Sequence, residues 1–236
     1  MREELIHPPV AVRTSDTEKN LRRSHRLRRL LDTYSVQKCQ ALFQRFVSNN
    51  TWKVPTLVVR RVDASLSDNV FVHDDRFRYM SKDIRQDWDK EAAGQLAGAT
   101  PEMIANEIGW YRKSLELVGK MNQAGVPIMA GSDAGDMYIV PGFHLHDELE
   151  LLVQAGLTPL QALQAATLNP AKYLNVTAQL GTIAPGKLAD LVVLQANPLE
   201  DIRNTKKIQA VVLNGKYFDR AALNSLLTKI ETLTNK

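Results

Sequence analysis

The residues best placed to do chemistry sit at the end of an apolar run. Val126-Pro127-Ile128-Met129-Ala130 gives way abruptly to Gly131-Ser132-Asp133-Ala134-Gly135. The run reads as a buried strand, and Asp133 follows its end between residues too small to cover a carboxylate. An open acid at a strand end can accept a proton or share in holding a cation. A surface turn would account for the glycines but not for an acid so close behind the strand. The histidines form a second set. His144-Leu145-His146 has the alternate spacing that binds metal on a strand, where both side chains point the same way. These two, however, lie where a helix begins. His25 falls within a basic helix and His73 within a polar stretch, settings that favour solvation. His7 follows Leu5-Ile6, a candidate strand stub, but the His-Pro-Pro run makes a poor strand end. Cys39 is the sole cysteine, which excludes an internal disulfide and a thiolate-rich zinc site. Its helical spacing marks it as a packed thiol.

Helices and strands must position these groups. Helices are predicted from about Leu21 to Thr33 and Val36 to Ser48, the second with Cys39, Leu42, Phe43, Phe46 and Val47 on one face. Val54 and Leu57-Val58-Val59 predict a short buried strand over 54–60. Residues 63–100 are polar, without a clear period, and read as a long functional loop holding short helices. Thr100-Pro101 opens a helix that runs to about Gln123, and Gly125 closes it. A strand over 126–132 follows. His146-Asp147-Glu148 reads as the acidic first turn of the next helix. Thr158-Pro159 and Asn169-Pro170 each start another. Past Leu180 the pattern changes to short buried strands over 189–194 and 208–218, with Asn214-Gly215 as a hairpin turn. A tail helix occupies 221–236. Strands alternating with helices imply parallel pairing with helical crossovers, and in such folds chemistry gathers at the carboxyl ends of the strands.

The 236 residues are 44% hydrophobic and 24% charged, enough apolar content for a sizeable core. No apolar run reaches the ~18–20 residues of a membrane helix. The first twenty residues lack the apolar block of a secretory leader, which favours the cytoplasm. The net charge of +4 is uneven, with residues 1–62 at +8 and the rest at −4. Arg22, Arg26 and Arg29 stack on one helical face. Without interleaved aromatics this reads as a solvated face rather than a nucleic-acid or membrane surface, although an anion-binding module is the reading that salt-dependent binding would support.

Three motifs in order, "GVPIMAGSDAGD", "HLHDELELLVQAGLTPLQALQAATLNPAKYL" and "LGTIAPGKLADLVVLQANPLEDIRNTKKIQAVVLNGKYFDR", resemble the carboxyl-terminal half of the metal-dependent amidohydrolases. The branch they are most similar to is the imidazolonepropionase and prolidase-like one. The likeness covers 126–220 strongly and 36–62 moderately. It implies an α/β fold: the last strands and helices of a (β/α)8 TIM-type barrel over 1–180, with a remnant of a small β-sandwich domain over 181–220. It also implies hydrolysis of a C–N bond in a small amide or dipeptide, with a divalent metal, zinc foremost, making a nucleophile from water at neutral pH. By position Asp133 matches the aspartate at the end of barrel strand eight, which touches the metal, takes the proton of the attacking water and passes it to the leaving group. His146 would contact substrate at the barrel mouth, and His7 is the weaker match to a histidine ligand.

The family also carries a His-x-His pair on its first strand, a carboxylated Lys or a Glu near strand four, and single histidines on strands five and six. Apart from the weak match of His7, this sequence has no counterpart for them, so the expectation is an amino-terminally truncated amidohydrolase. The rival expectation is a non-catalytic remnant or half-barrel needing a complementing amino-terminal half, or assembling as a homo-oligomer.

Overall fold

A computed structural model of the chain describes residues 15–68, 70 and 73–234. His7 lies outside the described residues.

Helices dominate. The first, α1 (Asp16–Asp32), starts at Ser15, whose side chain accepts the Glu18 N–H, and buries Ser24 and Leu27. Next, α2 (Val36–Ser48) is capped by Ser35 in the same way and buries Phe43, with Cys39 packed against the core. The second matches its predicted span, whereas the first begins at Asp16, five residues before the predicted start at Leu21. The third element does not match its prediction. Leu57–Ser65 forms a helix, α3, where the sequence predicts a strand over 54–60. Leu57, Val58, Val59 and Val62 are all buried. Three consecutive apolar residues, Leu57-Val58-Val59, carry the same signal as a buried strand, and the polar Arg60, Arg61 and Asp63 fall at or beyond the end of the predicted run, which is why the sequence misleads here.

The predicted parallel neighbourhood survives in reduced form. Lys53 and Ile128 make an isolated parallel bridge, with the Lys53 N–H donating to the Pro127 carbonyl and the Met129 N–H to the Lys53 carbonyl, each at 2.9 Å. Neither segment continues as a regular strand. The outer edge of 128–130 is sealed by helices: the Ala130 N–H donates to the Ala165 carbonyl, and the Asn169 side-chain amide donates to the Ile128 carbonyl.

The stretch 63–100, expected to be a long loop holding short helices, contains two 3-10 turns (Leu66–Asp68 and Asp75–Tyr79) and one helix longer than expected, α4 (Lys82–Leu96). Ser81 caps α4, and Trp88 and Ala92, one turn apart, bury its inner face. Phe77, Trp88 and Tyr138 form an aromatic cluster with centroids 5.4–5.9 Å apart. The long α5 (Pro101–Gln123) has its proline at the first turn behind the Thr100 cap, as the sequence indicates.

Two further helices follow, α6 (Phe143–Gln154) and α7 (Pro159–Ala166), the latter opened by a full capping box between Thr158 and Gln161. A short α8 (Leu168–Tyr173) follows. The contact of α5 with α6 is so close that a Cβ on Gly119 would lie 2.1 Å from the Ala155 carbonyl oxygen. Backbone oxygen cannot swing aside. Gly119→Ala is therefore expected to cost about 2–3 kcal/mol by overpacking, exceeding the ~1 kcal/mol that alanine gains in helix propensity. Urea unfolding of the variant reads the sign directly: lower stability supports the close crossing, and a gain of stability contradicts it.

The carboxyl-terminal region is a three-stranded antiparallel sheet, β1 (Leu191–Leu194), β2 (Ile208–Leu213) and β3 (Lys216–Phe218), in the order β1-β2-β3. Asn214 and Gly215, with φ of 50° and 71°, make the tight β2–β3 turn that the sequence signals. A 3-10 turn, Ile202–Lys206, lies between β1 and β2. The tail helix is α9 (Arg220–Thr234).

Candidate functional site

Asp133 stands where the strand-like segment 126–131 ends, and its side chain is exposed. Its backbone is left-handed, φ 55°, a conformation Asp tolerates better than most residues. The Asp133 carbonyl accepts the Asp136 N–H at 3.0 Å, and the Asp136 carboxylate accepts the Met137 N–H at 2.8 Å, closing a tight turn. The chain then dives into the core, with Met137, Tyr138, Ile139 and Val140 all buried. On the other side, a Cβ on Gly131 would come within 2.5 Å of Val54 Cγ1. The small residues before the acid thus admit the neighbouring segment, Lys53–Thr56, against the strand end.

The helix after this turn begins earlier than its acids suggest. It starts at Phe143, behind Gly142 with φ 78°, so Asp147 and Glu148 fall in its second turn and point inward. His144, Asp147 and Glu148 are 0%, 3% and 0% exposed. They are buried polar groups rather than solvent-facing acids at a helix terminus. Spacings of three and four residues from Leu151 and Leu152, themselves buried, are the sequence signal that placed them on the inner face.

Asp147 is ringed by cations. Arg61 and Arg76 each approach Oδ2 at 2.8 Å, and Lys206 approaches Oδ1 at 2.7 Å. Arg76 also pairs with Asp74, and Lys206 reaches Glu150. Burial alone would raise the pKa of Asp147, but hydrogen bonds from Lys206 and Arg76 prevail and hold it well below the usual carboxylate range. Glu148 has less company, with Arg61 the one cation whose charge opposes the effect of burial. Its Oε2 accepts the Val58 N–H at 2.8 Å while Oε1 has no partner, and burial pushes it up to about 7.

His144 is fixed by its backbone. The Val140 N–H donates to Nδ1 at 2.9 Å, which places the ring proton on Nε2. Nε2 is 4.0 Å from Asp147 Oδ2, too far for a hydrogen bond. Burial, with the charge of Arg76, lowers its pKa to about 4, so the ring is neutral. His146 is half-buried, and burial and Lys206 lower its pKa too. It lines an apolar groove of about 680 Å³ with Phe143, Ile208, Val211 and Leu223 among its walls. His25 and His73 are exposed.

Among the described residues, no three His, Cys, Asp or Glu side chains converge as a metal site. A catalytic zinc ion takes about three protein ligands. These residues by themselves do not fit such an ion.

A profile of the amidohydrolase family matches residues 54–217, most of the chain. The chain belongs to the amidohydrolase family. It is 37% identical over 90 residues to an adenine deaminase of Ligilactobacillus salivarius, a match covering 38% of this chain and 15% of that enzyme. It is 38% identical over 101 residues to ochratoxinase of Aspergillus niger, covering 41% of this chain and 20% of that one. The matched stretches thus span a fifth or less of these two relatives. Two solved structures share the fold: a bottromycin amidohydrolase, with a TM-score of 0.62, 21% identity and coverage of 78% of this chain and 40% of that one, and a Xaa-Pro dipeptidase with bound methionine, with a TM-score of 0.52, 22% identity and coverage of 75% and 36%. No described helix of the chain is long and apolar enough to cross a membrane.

Proposed function

We propose that this chain supplies one corner, the strand-eight acid, of a metal-dependent amidohydrolase that cleaves a C–N bond in a small amide or dipeptide. The observation that carries the reading is Asp133 itself: an exposed carboxylate held in a tight turn where 126–131 ends, within the family-matched region. A carboxylate so placed can take a proton from an attacking water and return it to the leaving nitrogen, which otherwise departs as a poor anionic leaving group. His146, beside the groove, is the candidate substrate contact. The histidines that would hold the metal come from a further segment of polypeptide or from a partner chain, completing a (β/α)8 barrel around the Lys53–Ile128 pairing. The three-stranded sheet is then part of the small β module beside it.

This reading predicts a difference between the chain alone and the completed assembly. Dialysed after exposure to zinc or manganese, the 236-residue chain should retain well under one equivalent and hydrolyse no dipeptide or cyclic amide. The assembly that adds the missing histidines should do both. Stoichiometric metal and hydrolysis by this chain alone would show that other residues build the site.

A second reading, a non-catalytic half-barrel, draws on the exposed apolar side chains of Val36, Leu42, Val47 and Val54. Such a protein would bind its partner but remain inactive after metal is supplied, and the same assay separates the two.

A further inference from the structure

Helix α3 begins without a local cap. Thr56, the residue before it, is left-handed (φ 46°, ψ 51°), and its side chain makes no capping hydrogen bond. The first amides of a helix need an acceptor, and here it comes from 90 residues away: the Val58 N–H donates to Glu148 Oε2, and the Leu57 N–H also faces this carboxyl. Glu148 is wholly buried and its second oxygen is unpartnered. Immediately before this capped turn, Lys53 pairs with 127 and 129, and Val54 and Thr56 pack on Gly131, two residues before Asp133.

We propose that Glu148 is a positioning residue: its buried carboxyl caps α3 and, through the Lys53–Thr56 segment, sets the Gly131–Asp133 strand end, with its protonation state felt there. The catalytic meaning of this placement rests on Asp133 being the site acid; the mechanical coupling does not. An ionised acceptor binds backbone N–H more strongly than a neutral one and also suits the positive end of a helix. Loss or gain of the proton therefore changes the grip on α3. Few groups blur this titration. Arg61 faces Glu148 from α3 and Tyr111 from α5. On α6 itself, Asp147 is held ionised by Lys206 from the 3-10 turn and by Arg76, and His144 is held neutral. Helix α7 carries no charged side chain. Burial puts the expected midpoint near 7.

The test is a pH titration of backbone amide shifts in the full chain, from about pH 5 to 9. It is recorded in an Asp133→Asn background so that the strand-end acid contributes no titration of its own. Leu57, Val58 and residues 131–133 should move together with one midpoint near 7. Adding Glu148→Gln, which keeps an acceptor of the same shape but cannot ionise, should leave the protein folded and abolish the movement at both places. Adding Glu148→Ala should broaden or shift the Leu57 and Val58 signals at every pH. Movement at 57 and 58 without movement at 131–133 would overturn the coupling, as would titration of 131–133 that persists in the Gln variant. Because catalysis is not measured, failure here leaves the Asp133 reading intact, and failure of that reading leaves this one.

Discussion

In the completed, metal-loaded assembly, Asp133→Asn should lower kcat by about 10²–10⁴-fold, the usual cost of losing a general base. The amide is isosteric, and Asn tolerates the left-handed backbone of this position as well as Asp does, so the turn through Asp136 should persist. Metal content should fall little, because one oxygen donor remains and the other ligands lie elsewhere. Steady-state kinetics beside metal analysis decides the matter. Lost turnover with retained metal marks Asp133 as the proton acceptor, whereas full activity in the variant removes it from the mechanism.

Asp147→Ala should be the most destabilising single change at the buried ring of charges. It deletes a 4% exposed side chain and leaves Arg61, Arg76 and Lys206 without their shared counter-charge. Breaking a buried pair costs about 3–5 kcal/mol. Here the cations are a quarter or more exposed and can turn towards water, which favours about 3 kcal/mol. The pH dependence has a definite sign. Asp147 ionises at lower pH in the folded chain than in the unfolded one, so its contribution is complete above the unfolded value of ~3.9 and is lost as pH falls further, through the depressed folded value. Denaturant unfolding of both proteins should therefore give a constant difference from about pH 5 to 7, narrowing only below about pH 4. A difference that grows on acidification would contradict this account of the ring.

What the sequence disclosed depended on how local the cause was. Thr100-Pro101, Thr158-Pro159 and Asn214-Gly215 carry their conformational preference in the residues themselves, and α5, α7 and the hairpin fall where those signals lie. The exposure of Asp133 was readable for the same reason, since an apolar run stops against small residues, but the strand expected over 126–132 is reduced to the single bridge at Ile128. Helix α3 was not, because it opens on three consecutive apolar residues that read equally as strand and its cap is supplied by Glu148, 90 residues away. Asp147 and Glu148 looked like dipole-complementing acids because the true start of α6 depends on the positive φ of Gly142, and nothing local separates the two registers. Helix α4 was hidden in a polar stretch, where few residues, Trp88, Ala92 and Leu96 among them, face inward and the aromatic partners lie on other elements.

These misreadings share a feature with the histidines. A His-x-His pair suggests metal only while both rings project from one strand face. On α6 the two rings diverge: His144 turns into the core to accept the Val140 N–H, and His146 faces the groove beside Phe143 and Lys206. Their spacing therefore does not bring them to a common point.

The central claim is that Asp133 belongs to the metal centre of an amidohydrolase. The most direct measurement is the anomalous-scattering map of a crystal of the completed assembly loaded with zinc or manganese. The account predicts a metal peak with an Asp133 carboxylate oxygen at about 2.0–2.2 Å. A fully occupied metal elsewhere, with the Asp133 carboxylate remote from it and from any bound substrate amide, would contradict it.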